Sequence, residues 1–260
     1  MARHVAKIAL VWPKTPFLID PFVHPPLGLW YLWSTLEQYG HEVEFFDLNA
    51  DPIPTGYDAY LVSGTTPQAS ELEKLPKLLD GRTIVGGPHA TLFPEQMLEW
   101  GYDTVVVGEG EEWINHVLAD PYCRSIKPPR IGTRASLMSI DDVPFPNRTL
   151  AHRYKFKVGD RDATTAFTSR GCPYQCGFCS HVIWGRHLVQ RSAGNVYEEA
   201  CQIHELGFRA IMYFDDTFII NKERLFEICD LLAPLSMHWR CFIRADLIGP
   251  AMLHVMRRAG

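Results

Sequence analysis

No stretch of this 260-residue sequence is long and apolar enough to cross a bilayer as a helix. The longest apolar run, Leu27 to Trp33, falls far short of the ~20 residues such a helix needs. Near the N-terminus, Ile8-Ala-Leu-Val-Trp12 breaks at Pro13, too short for the apolar heart of an export signal. Basic residues are in the minority, 25 Lys and Arg against 30 Asp and Glu, giving a net charge of −5. That balance argues against a protein whose main task is gripping nucleic-acid phosphates. An even cysteine set is also missing, and seven cysteines without an export signal do not suggest a disulfide framework. There is no internal repeat and no low-complexity tract. What is present is ordinary globular material, 47% hydrophobic and 21% charged, with aromatics enough to bury a sizeable core. A cytoplasmic setting is the expectation.

Through the first 120 residues, short apolar runs alternate with helix-forming stretches. The runs are Val5–Trp12, Glu42–Leu48, Ala59–Ser63, Arg82–Val85 and Thr104–Val107. Between them lie Gly28–Tyr39, Ala69–Leu79, Phe93–Trp100 and Glu111–Leu118. Strands that are continuously apolar belong to a sheet covered on both faces, hence parallel strands with helical crossovers. The expected fold is α/β: a flavodoxin-like doubly wound parallel sheet over residues 1–122. Ligands of such sheets bind beyond the carboxyl ends of the strands. The segments leaving those ends are Trp12-Pro-Lys-Thr-Pro16, Ser63-Gly-Thr-Thr-Pro67, Gly86-Gly-Pro-His89 and Gly108-Glu-Gly110. Each alone reads as a turn; four on one edge read as a binding rim. Gly108-Glu-Gly110 is not a dinucleotide fingerprint, because Trp113 stands where the third glycine belongs.

Prolines break the pattern from Pro121 to Pro146, and residues 123–162 are expected to connect two domains. The second domain, 163–260, opens with a strand at Thr164–Thr168 and then Ser169-Arg-Gly-Cys-Pro-Tyr-Gln-Cys-Gly-Phe-Cys179. Thiolates at Cys172, Cys176 and Cys179 are close enough along the chain to converge on one soft metal centre. An iron–sulfur cubane held by three thiolates keeps one iron open for a substrate or cofactor. A structural zinc needs a fourth ligand, which His181 or His187 could supply. Spacing alone leaves both open. Cys123, Cys201, Cys229 and Cys241 stand among apolar neighbours and read as small buried hydrophobes.

The string Ser169-Arg-Gly-Cys172-Pro-x-x-Cys176-x-Phe-Cys179 closely resembles the cluster loop of radical S-adenosylmethionine (SAM) enzymes. The resemblance implies a [4Fe–4S] cluster on the three cysteines, SAM at the open iron, and a β/α barrel around them. Phe178, before the last cysteine, belongs to that pattern. Further strands at Phe208–Phe214 and Trp239–Ile243 deliver Asp215-Asp-Thr-Phe218 and Arg244-Ala-Asp246 at their carboxyl ends, where barrel enzymes place their chemistry. Asp215 and Asp216 are thus candidates to bind the ribose or amino group of SAM, and Arg244 its carboxylate. Helices follow at Val196–Leu206, capped by Ser192 or Asn195, and at Lys222–Leu232, capped by Asn221.

Pro25-Pro-Leu-Gly-Leu-Trp-Tyr-Leu32, Gly40-His-Glu-Val43 with Asp47, Gly86-Gly-Pro-His89 and Gly108-Glu-Gly-Glu111 resemble the cobalamin-binding domain of B12-dependent radical SAM proteins. That resemblance makes Thr65, Thr66, Gly86, Gly87, Pro88, His89, Gly108, Glu109 and Gly110 the candidate cobalamin contacts. It implies an enzyme, a methyltransferase acting on an unactivated carbon or phosphorus of a small-molecule or natural-product substrate. It also implies an external electron donor such as flavodoxin or ferredoxin, with no nucleic acid and no membrane span. The Asp-x-His-x-x-Gly string by which some cobalamin domains ligate cobalt is absent: Asp20 and His24 are too far apart. His89 is expected to shape the rim without ligating cobalt. Residues 163–260 accommodate three β/α units, fewer than a radical SAM core carries, so a fragment, or a core completed by a partner, is expected. The alternatives are a non-catalytic cobalamin and iron–sulfur binding module, or an α/β protein with a structural Cys3His zinc site.

Overall fold

The structure, a computed structural model, describes residues 5–128, 131, 136, 138–180 and 183–260. It divides into two compact units, with the main boundary between Arg148 and Thr149; Phe22–Pro25 belongs with the second unit. Residues 123–162 are therefore shared between the units.

In the first unit the strands are β1 (Lys7–Trp12), β2 (Glu42–Asp47), β3 (Ala59–Ser63), β4 (Arg82–Gly86), β5 (Thr104–Val106) and β6 (Ser125–Ile126). Among the described residues they form one sheet in the order β2-β1-β3-β4-β5-β6, every neighbouring pair parallel. This is the doubly wound order anticipated from the sequence, extended by the short β6 out of the expected connector. Ile8, Ala9, Leu10 and Val11 are fully buried in succession, which requires cover on both faces. On one face Ala9 and Val11 join Tyr60, Val62, Leu72, Val85, Met97 and Tyr102 in a single core. The other is covered by α1 (Leu27–Gln38), whose Trp30 and Trp33 rings pack on Phe45 of β2 at 6.5 and 6.0 Å. Each large apolar side chain so buried contributes roughly 1.5–3 kcal/mol.

Two local expectations are corrected. The helix anticipated over Ala69–Leu79 is only the single turn α2 (Ala69–Leu72) followed by a 3-10 turn at Leu75–Lys77. Pro76 cannot donate to a continuing helix. Conversely, Gly86-Gly-Pro-His89 is no simple turn, for α3 (Gly87–Leu92) starts inside it, with Pro88 in its first turn. Phe93 then takes a non-helical conformation before Pro94, as a residue preceding proline prefers, and α4 (Pro94–Glu99) begins. After β5 comes α5 (Ile114–Ala119).

The second unit opens with a hairpin, β7 (Lys157–Val158) antiparallel to β8 (Arg161–Ala166). A short antiparallel pair follows, β9 (Ser169–Arg170) with β10 (Val189–Gln190). Three β/α units are then visible: β8 leads to α6 (Ala193–Glu205), β11 (Ala210–Tyr213) to α7 (Lys222–Leu232), and β12 (His238–Cys241) to α8 (Pro250–Arg258). The sheet order is β12-β11-β8-β7, with β8, β11 and β12 parallel. Ser192 caps α6 by accepting from the Asn195 N–H, and Asn221 caps α7 by accepting from the Arg224 N–H. Val196, Ala200 and Ile203 form the buried stripe of α6.

Candidate functional site

Each unit carries its own candidate site. In the second, the chain leaves β8, forms β9 and enters the cysteine segment, returning through β10. Ser169 pairs with Gln190 and Arg170 with Val189, so the segment is pinched into a lobe. Gly171 opens the lobe in a left-handed conformation (φ 82°) against the backbone of His187 and Gly185. The Cys172 N–H donates to the Gly185 carbonyl at 3.2 Å, and the Cys179 N–H to the Cys176 carbonyl at 3.0 Å. Cys172 is buried, Cys176 half-buried and Cys179 exposed.

The sulfurs sit in a directed electrostatic environment. Burial pushes the Cys172 thiol up, the Tyr174 backbone N–H pulls the other way, and the charges of Asp216, Cys179 and Cys176 push it up again. Cys176 and Cys179 are therefore both near enough to Cys172 to act on its thiol. Arg244, beyond the carboxyl end of β12, donates from Nη1 to Cys176 Sγ at 2.9 Å. N–H donors aimed at sulfur suit thiolate ligands, since hydrogen bonds to sulfur belong to the tuning of iron–sulfur sites. The residues present fit a cluster. Among the described residues no three His, Cys, Asp or Glu side chains converge on a single-ion site. Of the two histidines considered for zinc, His181 lies outside the described residues.

Asp215 is corrected from its expected role. It is fully buried, and it accepts from Thr168 N–H at 2.7 Å, Thr168 Oγ1 at 2.5 Å and Ser169 Oγ at 2.7 Å. It thus braces the root of the cysteine lobe, with no carboxylate oxygen exposed toward a SAM molecule. Burial raises its pKa despite those donors and the nearby Arg224. Asp216, by contrast, is exposed, and the Phe178 ring is 94% exposed beside Cys179. Arg244 is committed: Nε and Nη2 reach the two oxygens of Asp246 at 3.1 and 2.7 Å, and the guanidinium lies 4.2 Å over the Tyr174 ring.

Sequence reasoning missed three residues around the root. Arg191 pairs with Glu199, both almost fully buried, and donates to the Phe167 carbonyl at 2.6 Å. Arg224 donates to the Arg191 carbonyl at 2.6 Å and the Thr168 carbonyl at 2.7 Å. Together with Asp215 they tie down the backbone from Phe167 to Ser169 and at Arg191, on both sides of the lobe.

In the first unit, the four small-residue segments do leave the carboxyl edge of the sheet. Thr65 closes a capping box with Gln68, whose amide donates to the Pro13 carbonyl at 2.8 Å, linking two of the segments. Gly87 has φ 86°, a conformation that favours glycine, and a Cβ there would crowd Ser63 Oγ, so the start of α3 lies close against the end of β3. Gly108 donates to Thr91 Oγ1 at 3.0 Å, and a Cβ at Gly108 would point into open space. Thr65, Thr66, Gly86, Gly87, Pro88, Gly108 and Gly110 are partly or fully accessible beyond the carboxyl ends of the strands. Glu109 does not line it: it is buried and accepts from the Ile131 N–H at 2.9 Å. His89 is also buried, stacked on Trp100 at 5.8 Å with Nδ1 3.3 Å from Thr66 Oγ1, and burial lowers its pKa. It shapes the rim from beneath.

A doubly wound sheet with small residues at its carboxyl edge is joined in one chain to β/α units that carry a three-cysteine lobe. Residues 20–118 match the B12 binding domain family. An uncharacterized methyltransferase of Pyrococcus horikoshii is 29% identical over 98% of this chain and 64% of its own length. The cytidylyl-2-hydroxyethylphosphonate methyltransferase of Streptomyces wedmorensis is 26% identical over 91% of this chain and 60% of its own. The cobalamin-dependent SAM radical enzyme OxsB, solved with aqua-cobalamin and SAM, shares the fold at a TM-score of 0.75 and 19% identity, over 99% of this chain and 43% of its own. The chain thus spans less than two thirds of the length of these proteins. No helix among the described residues is long and apolar enough to cross a membrane.

Proposed function

We propose that this chain carries the cobalamin site and the cluster site of a radical SAM methyltransferase acting on an unactivated carbon or phosphorus centre. Cys172, Cys176 and Cys179 hold a [4Fe–4S] cluster, and Asp216 and Phe178, exposed at the strand end and the lobe, contact SAM. Thr65, Thr66, Gly86, Gly87, Pro88, Gly108 and Gly110 cradle cobalamin. Held there, a cluster would supply an electron to SAM, and cobalamin would supply a carrier for a methyl group. The residues of the chain do the positioning. Asp215, Arg191 and Arg224 fix the root of the lobe, and Gly171 lets it turn back against His187. The Tyr174 N–H and Arg244 place donors on sulfur. At the other site the buried His89, whose pKa burial lowers, packs on Trp100 and supports the rim through Thr66.

The observation that carries this reading is the lobe: three cysteines in one segment closed by the β9–β10 pair, with Arg244 donating to Cys176 Sγ. Anaerobic reconstitution with iron, sulfide and hydroxocobalamin tests it. About four irons per chain, a broad visible band bleached by dithionite, loss of both in Cys176→Ala, and retained corrin bands are the expected outcome. One tightly held zinc that is lost in His187→Ala, with no iron uptake, would overturn it in favour of a structural metal.

A further inference from the structure

We propose that Arg244 sets the reduction potential of the cluster on Cys172, Cys176 and Cys179, with Asp246 as the counterweight that limits its effect. The inference deepens the cluster reading and rests on it. Arg244 reaches the lobe from the end of β12, and its guanidinium is held from three directions. Nη1 donates to Cys176 Sγ at 2.9 Å, the plane lies 4.2 Å over the Tyr174 ring, and Nε and Nη2 fork onto Asp246 at 3.1 and 2.7 Å. Tyr174 lies between Cys172 and Cys176, so the stacking contact lies within the cysteine segment itself. Asp246 sits in the 3-10 turn Ala245–Leu247, and the Leu247 N–H donates back to the Arg244 carbonyl at 3.1 Å. Acceptor and donor therefore belong to one closed turn.

An N–H donor and a positive charge on a ligand sulfur withdraw electron density from the cluster and favour its reduced state. A planar guanidinium holds such a donor in place better than a flexible ammonium. Asp246 acts in two opposed ways: it aims the guanidinium, and its negative charge offsets part of that pull. The electron transfer concerned is simple to balance. One electron from an external reductant takes the cluster from the 2+ to the 1+ state; no bond forms or breaks, and no proton moves.

The test is an anaerobic redox titration of the reconstituted chain with titanium(III) citrate, without SAM, following the reduced-cluster electron paramagnetic resonance signal. Iron and sulfide are counted in every sample. Arg244→Gln is expected to bind the cluster with a midpoint more negative than wild type, and Arg244→Lys to fall between them. Asp246→Asn leaves the guanidinium charge uncompensated and is expected to shift the midpoint the opposite way. Two shifts of opposite sign are not the mark of a lobe that has merely loosened. Equal midpoints in samples of equal iron content would overturn the inference while leaving the cluster reading intact. A loss of SAM affinity in Arg244→Gln with no change of midpoint would likewise overturn it and return Arg244 to the carboxylate role. A wild-type chain that takes up no four-iron cluster would overturn the cluster reading itself.

Discussion

Gly171→Ala separates a lobe shaped by its backbone from one that merely happens to carry three cysteines. The residue sits at φ 82°, and a Cβ there would lie 3.0 Å from the His187 carbonyl carbon, 3.2 Å from the Gly185 oxygen and closer still to the His187 oxygen. These are backbone atoms on the returning arm, and the same arm accepts the Cys172 N–H. They cannot swing aside as a side-chain tip can. Left-handed geometry costs an L-residue about 1–2 kcal/mol, and forcing an added carbon into filled space costs about 1–3 kcal/mol. The sum, about 2–5 kcal/mol, is a large fraction of an ordinary domain's stability. Gly177 is the control: it lies in the same segment, a Cβ there meets nothing within 4 Å, and its φ is not left-handed. Thermal unfolding and iron content after reconstitution are the assays. Gly171→Ala is expected to lower the melting temperature by at least about 5 °C, or to lose most of its iron where the lobe yields instead. Gly177→Ala is expected to match wild type in both. If the two alanine variants melt together and load equal iron, the close return of the lobe against His187 is wrong.

Glu199→Ala leaves the Arg191 guanidinium buried without its carboxylate and is expected to cost about 3–5 kcal/mol by urea denaturation; a loss under about 1 kcal/mol would contradict the buried pair. The rim carries a pH signature through His89, whose pKa burial lowers below 6.5. Between its folded value and 6.5 the unfolded chain holds more protons, so the contribution of His89 is whole above pH 6.5 and is lost as pH falls. Unfolding free energy measured from pH 8 to 5 should therefore drop more steeply in wild type than in His89→Phe, which keeps a ring for Trp100; parallel curves would refute it.

The first unit was legible because continuous apolar strands mean a sheet covered on both sides, and five such runs leave few topologies open. What sequence reading mistook there was local: Pro76 ended a helix that composition favoured, and Pro88, usually a breaker, instead opened one. The three-cysteine segment was visible in the sequence too, since its spacing is local. Its root was not. Glu198 and Glu199 look alike as text, yet Glu199 falls on the helical stripe of Val196, Ala200 and Ile203 and is buried with them. Arg224 likewise shares a buried face with Leu225 and Ile228. A charge on an apolar stripe was the available signal: it must find a buried partner, and here the partners are Arg191 and the carbonyls beneath the cysteines. Asp215 shows the converse. A pair of aspartates at a strand end reads as a ligand site, but the backbone turns the first inward and the second outward. The inward one completes the root with Thr168 and Ser169. The chemistry is thus written in short motifs, while the parts that hold it rigid are scattered over β8, β10, α6, β11 and α7. Only folding brings those together.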